Sequence, residues 1–233
     1  MCGVRGEGGH KMTRPDPPVV LAAPPRGSVL VLAPHPDDES LGCGGAIVFH
    51  HRQGDSVKVV FATDGAAGDP LDYYRDCDYR ELRRAEARRA ASILGIDNLV
   101  FWDYPDGKLA EANDLSERLR TLLTTDRPDI IYRPSTLEIH PDHWALGVGA
   151  EEALRQYRPA SGDFCYEIWA AIQPTHALDI TTVWDLKRKA VEQYESQLRY
   201  NDYIYIGAGL NTYRTIYCPS ARYVEAFRVG KTA

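Results

Sequence analysis

The segment Pro34-His35-Pro36-Asp37-Asp38-Glu39 sets one imidazole and three carboxylates in five consecutive positions. Like charges that close repel one another, and a divalent cation relieves the repulsion. A second segment, His140-Pro141-Asp142-His143, adds two imidazoles and a further carboxylate. One metal can take His35, one of the aspartates and His143 and keep an open position for water, which is the pattern of a catalytic zinc site. The aspartate left unbound can then act as general base on water that the metal has acidified. His140, with Asp142 to orient it, suits an imidazole that stabilises an oxyanion or protonates a leaving amine. The same donors can hold iron(II) or another divalent metal, because ligand identity alone does not separate them. Turn chemistry is the plainer explanation of either segment alone, since Asp and Pro favour turns and helix starts.

The elements around the two segments must bring them together. Ser28 to Ala33 (SVLVLA) is a short apolar run closed by Pro34 and Pro36, as in a buried strand. After Gly42, Gly44 and Gly45, AIVFHHRQ predicts a helix stopped by Gly54, and Val57 to Thr63 predicts the next strand. An amphipathic helix follows over Asp78 to Leu94, then a strand over Leu99 to Trp102, a helix over Leu115 to Thr125 and a strand at DIIY, Asp129 to Tyr132. His143 to Arg155 predicts a further helix and Phe164 to Ile172 a further strand. This alternation implies an α/β, Rossmann-like fold with a mostly parallel sheet and helices on both faces. Both histidine segments follow strands, so the metal site is expected at the carboxyl ends of the strands.

With 233 residues, 44% hydrophobic and 26% charged, the chain suits one globular domain over residues 28–233. Residues 1–27, rich in Gly, Pro and Arg, read as a flexible lead-in. The net charge of -6, with Arg and Glu interspersed, argues against a nucleic-acid partner. No apolar run is long enough for a signal peptide or a bilayer span, so no membrane role is expected. Five scattered cysteines without a CxxC pair argue against a disulfide framework and fit a reducing cytoplasm.

APHPDDESLGCGG, followed about a hundred residues later by HPDH, resembles the LmbE-like, PIG-L family of zinc-dependent N-acetylglucosamine deacetylases. The likeness continues in RELRRAEARRAASILGI, YPDGKL, YEIWAAI, the LDI segment before Lys187 and YESQ. It implies that His35, Asp38 and His143 bind zinc and that Asp37 is the general base. It also implies that His140, oriented by Asp142, assists as acid or electrostatic stabiliser, that Arg83 contacts substrate, and that Asp106 of YPDG meets sugar hydroxyls. The implied substrate is a small-molecule N-acetylglucosamine-type conjugate or a related N-acyl amino sugar. An amidase acting on another N-acyl substrate and a non-catalytic, metal-containing sugar-binding domain are the alternatives. Two departures stand out. Glu138 occupies a place where some relatives have a tyrosine that polarises the acyl carbonyl, and TDGAAGDP lacks the glutamate that often follows its glycine.

The Gly42 to Gly45 run is not GxGxxG and does not directly follow its strand, so a dinucleotide site is not expected; glycines there let a helix approach its neighbours closely. Arg83 and Arg84 lie among many charges, where surface ion pairing is the default, and only the family register singles out Arg83. Seven tyrosines between Tyr194 and Tyr223 mark a wall that could set substrate preference. Homo-oligomers are common among soluble enzymes, but nothing in the sequence fixes a symmetry.

Overall fold

The computed structural model describes residues 16–230. Its strands are β1 (Val19–Leu21), β2 (Val29–Ala33), β3 (Val57–Thr63), β4 (Asn98–Tyr104), β5 (Ile130–Pro134), β6 (Gly162–Tyr166), β7 (His176–Asp179) and β8 (Val224–Val229). Its helices are α1 (Asp38–Gln53), α2 (Tyr79–Leu94), α3 (Leu115–Asp126), α4 (Pro141–Leu154), α5 (Trp184–Val191), α6 (Glu195–Leu198) and α7 (Tyr203–Tyr213). The strands form one eight-stranded sheet in the order β1-β7-β8-β6-β5-β2-β3-β4. Pairing is parallel from β6 through β5, β2 and β3 to β4, whereas β8 runs antiparallel to both β6 and β7. The expected α/β class and mostly parallel sheet are therefore present.

A strand covered on both faces reads as a continuous apolar run because both sets of its side chains are buried. In β2, Val29, Val31 and Ala33 enter a core shared with α1, α2 and α5, while Leu30 and Leu32 enter the opposite core with residues of α3 and α4. The chain leaves β2 in one direction toward β3 and returns on its other side as β5, so the strand order reverses between β2 and β5. Ligands of open α/β sheets collect in the crevice at such a point.

Helix α1 starts at Asp38, earlier than its apolar stretch suggests, and takes in the glycines. A Cβ on Gly42 would lie 2.4 Å from the Tyr166 ring and one on Gly45 2.5 Å from Ile180, so this helix reaches its neighbours only without side chains there. The helix breaks at Cys43 (φ -143°, ψ 23°), which frees amides of the following turn. Gly45 N and Ala46 N donate to the Glu225 carboxylate at 2.7 and 2.8 Å, and Glu225 is held in turn by Lys187 at 2.7 Å.

Two expectations are corrected. The strand expected over Phe164 to Ile172 ends at Tyr166, because the Glu167 carboxylate takes the Ile172 amide and bends the chain into a loop. Inside the lead-in expected over residues 1–27, Val19–Leu21 pairs in parallel with β7; residues 1–15 lie outside the described residues. No helix among the described residues is long and apolar enough to cross a membrane.

Candidate active site

The chain leaves β2 at Ala33, runs through Pro34 to Asp37 and enters α1 at Asp38. It leaves β5 at Pro134 and enters α4 at Pro141, with His140 as N-cap accepting from the Asp142 amide through Nδ1 at 3.3 Å. Proline in the first turn fits, since its missing N–H would have no helical partner there. Two helix N-termini thus meet above the switch in strand order, and their partial positive charge favours carboxylates.

His35 Nδ1, Asp38 Oδ2 and His143 Nε2 form a triangle with every edge 3.2 Å. Donors on one face of a tetrahedron around zinc, with bonds of about 2.0 to 2.1 Å, would stand roughly 3.3 Å apart. Two imidazoles and a carboxylate at this spacing fit a divalent metal. The ring nitrogens of His35, His140 and His143 also lie within 4.8 Å of one another, as do donor atoms of His35, Asp106 and Asp142. In the triangle with Asp38 all three edges match tetrahedral spacing, and Asp38 supplies a negative charge to a cation held there. Burial alone would push the Asp38 carboxyl up, but its interactions with the His143 and His35 rings overcome it and hold Asp38 below its ordinary range. Burial pushes His143 down to about 4, whereas burial of His35 is outweighed by Asp106, Asp142 and Asp38, which raise it. The cluster therefore calls for positive charge beside Asp38, which a proton on His35 or a cation in the triangle can supply.

Asp37 stands next to this triangle at φ 138°, ψ -27°, a conformation that L residues rarely adopt and that marks strain held by its surroundings. Its amide donates to Glu39 Oε2 at 3.1 Å, and Glu39 is anchored by the Tyr194 hydroxyl at 2.5 Å. Arg83 Nη2 donates to Asp37 Oδ2 at 3.0 Å and to the Pro36 carbonyl. Burial raises the Asp37 carboxyl to about 7, with Arg83 drawing it down and Asp38 pushing it up. A carboxylate poised near neutrality is suited to accept a proton from water.

The Asp142 carboxylate does not meet the His140 ring. Its Oδ2 lies 3.1 Å from His35 Nε2 and accepts from Gly107 N at 2.7 Å, and its Oδ1 accepts from Leu109 N at 3.0 Å. Burial would raise its pKa, but the His35 ring and these two amides hold it down at about 2. Asp106 Oδ1 lies 2.9 Å from the same His35 nitrogen, and its Oδ2 accepts from Ala67 N at 3.0 Å. Asp106 and Asp142 thus both hold His35, and His140 is fixed through its Nδ1 by a backbone amide. Arg83, 2% exposed in its side chain, is committed to Asp37, with Glu86 behind it.

A cavity opens over His35, Asp37, Asp38 and His140 and is also lined by Trp169, Gln197 and Tyr203. Trp169 and Gln197 lie in YEIWAAI and YESQ, segments that carry the family likeness without implying a role for either residue, and of the tyrosine-rich stretch Tyr203 reaches this cavity. Glu138, at the position of the expected tyrosine, is turned inward. Its oxygens accept from Ile168 N at 3.0 Å and Trp169 N at 3.1 Å, and burial raises its carboxyl to about 7 against the pull of those amides.

Comparison with known proteins bears on the family and the fold. Diacetylchitobiose deacetylase of Thermococcus kodakarensis is 29% identical over 185 residues, 72% of this chain and 69% of that protein. The 4-oxalmesaconate hydratase of Pseudomonas putida is 26% identical over 85% of this chain and 86% of its own length. The N,N'-diacetylchitobiose deacetylase structure from Pyrococcus horikoshii superposes with a TM-score of 0.77 at 27% identity, covering 87% of this chain and 83% of that one. The PIG-L family, GlcNAc-PI de-N-acetylase, matches residues 30–154, just over half of the chain and the part that carries both histidine segments. This chain belongs to the PIG-L, LmbE-like family.

Proposed function

We propose that this chain is a zinc-dependent N-deacetylase that hydrolyses the acetamide of an N-acetylglucosamine-type conjugate, releasing acetate and a free amine. The observation that carries the reading is the triangle of His35, Asp38 and His143 donors at 3.2 Å with the Asp37 carboxylate beside it. Held by these three side chains, zinc would supply Lewis acidity to water and to the acyl oxygen. Asp37 takes the proton from the attacking water and delivers it to the nitrogen as the C–N bond breaks. Because His140 Nδ1 accepts from the Asp142 amide, its proton sits on Nε2, and burial keeps the ring below its ordinary pKa. A neutral His140 can therefore donate from Nε2 to the oxygen that gains charge. Asp106 and Asp142 orient His35, and Asp106, which also lines the cavity, is placed to meet a sugar hydroxyl. Trp169 and Tyr203, whose rings meet edge to face at 6.3 Å, offer a surface on which a sugar ring can stack.

The hydratase relative supports a second reading, in which the same water-activating groups serve addition to a double bond. The cavity favours it less, since Arg83 is the one guanidinium or ammonium among the described lining residues and is engaged by Asp37. The described cysteines are free thiols, which suits a reducing cytoplasm. A panel of N-acetylglucosamine conjugates and simple N-acyl amides, assayed for free amine with zinc or iron(II) restored, tests the proposal. Amine release that prefers the sugars supports it, and release only from simple amides would replace the substrate class.

A further inference from the structure

Glu138 lies outside the donor triangle, on the loop between β5 and α4, yet it is the acidic side chain that faces the hidden side of His143. Its side chain is 0% exposed, and its Oε2 stands 3.8 Å from His143 Nδ1, an atom that is buried without a hydrogen-bond partner. His143 Nε2 faces Asp38 and His35 on the other side of the ring. A neutral imidazole carries one proton, so a ring that ligates through Nε2 must keep that proton on Nδ1, and a buried N–H calls for an acceptor. Movement of under about 1 Å brings the Glu138 pair to hydrogen-bond length.

The same carboxylate accepts the amides of Ile168 and Trp169, two residues that line the cavity. That loop is secured at a second point, where Arg214 Nε donates to Glu167 Oε2 at 3.0 Å and Arg214 Nη2 to the Ile172 carbonyl at 2.9 Å. Glu138 thus joins the metal-ligand side of the cavity to its aromatic side, and Glu167 holds the loop without contacting His143.

We propose that Glu138 is a positioning residue that holds His143 in the Nδ1–H form, presenting Nε2 to the metal, while it fixes the Ile168–Trp169 wall. The inference rests on the functional reading above only in requiring a metal at His143. It assigns this position a task different from polarising the acyl group, because both carboxylate oxygens are turned away from the cavity and occupied by backbone amides.

The test compares wild type, Glu138→Gln, Glu138→Ala and Glu167→Gln by zinc affinity in chelator competition and by the imidazole 15N signals of His143. Both Glu138 variants should bind zinc about 10- to 100-fold more weakly and lose the uniform Nδ1–H signature, while Glu167→Gln, which loosens the same loop, keeps both. Unchanged affinity and tautomer in Glu138→Gln would overturn the proposal, as would an equal loss in Glu167→Gln, which would assign the effect to the loop. If wild type itself binds no zinc, the functional reading fails and the 15N signals alone decide: loss of Nδ1–H in Glu138→Gln supports the role, and its retention overturns it.

Discussion

Arg83 Nη2 donates to Asp37 Oδ2 over 3.0 Å, with the guanidinium almost wholly buried. The pair explains why a buried carboxylate rises only to about 7 and still ionises near neutrality, because Arg83 opposes the effect of burial. Removal of that charge raises the Asp37 pKa further, and the base form is then reached only at higher pH. In Arg83→Met the acid limb of the kcat/KM profile should therefore move upward by about one unit or more, with a smaller move in Arg83→Lys. An acid limb that stays in place would show that Asp37 is not the titrating base.

Backbone strain at Asp37 gives a second expectation. Glycine ordinarily weakens a folded chain relative to alanine, but at φ 138° it removes a steric penalty. Both substitutions delete the carboxylate, so their difference isolates the backbone. Asp37→Gly should be more stable than Asp37→Ala by about 1 to 2 kcal/mol in urea unfolding, and both should lose turnover. The reverse order would mean that the conformation costs nothing.

Metal binding should stabilise the fold, since a ligand that binds only the folded state adds free energy with its concentration. At 100 times its dissociation constant zinc would add about 2.7 kcal/mol, seen as a higher Tm. His143→Ala and His35→Ala should abolish that rise, while His140→Ala should retain most of it. A full rise in His143→Ala would remove that residue from the ligand set.

Away from the site, His50 is buried with Nδ1 2.9 Å from Asp55 Oδ2, so Nδ1 carries the proton and Nε2 accepts from the Tyr132 hydroxyl at 3.0 Å. Burial lowers its pKa below the ordinary value of 6.5 despite Asp55. The unfolded chain then takes up the proton first, so this contribution is complete above that value and is lost as pH falls below it. His50→Gln should cost about 1 kcal/mol at pH 7 and lose less stability than wild type on going to lower pH. Identical pH dependence in urea unfolding would contradict the assignment.

The central strands and both histidine segments are legible in the sequence because each depends on local pattern: an apolar run closed by proline, then a cluster of ligand types. β1, β7 and β8 are less so, since their pairing joins distant parts of the chain and β8 enters between β7 and β6. The partner of Asp142 was hidden for a related reason. Proximity in HPDH suggests that it orients His140, but the first turn of α4 directs its carboxylate to His35 and to amides of a loop more than thirty residues earlier. Glu138 stood out only as a departure from the family pattern, because its partners Ile168 and Trp169 lie beyond α4 and β6.

The most direct test of the account is a zinc titration of chelator-stripped protein, with acetate and free amine both quantified from an N-acetylglucosamine conjugate. The account predicts that the two products appear one for one, that turnover reaches its maximum at one zinc per chain, and that Asp37→Asn binds the same zinc with turnover lowered by at least about 100-fold. Undiminished turnover in the stripped protein, or in Asp37→Asn with zinc bound, would contradict it.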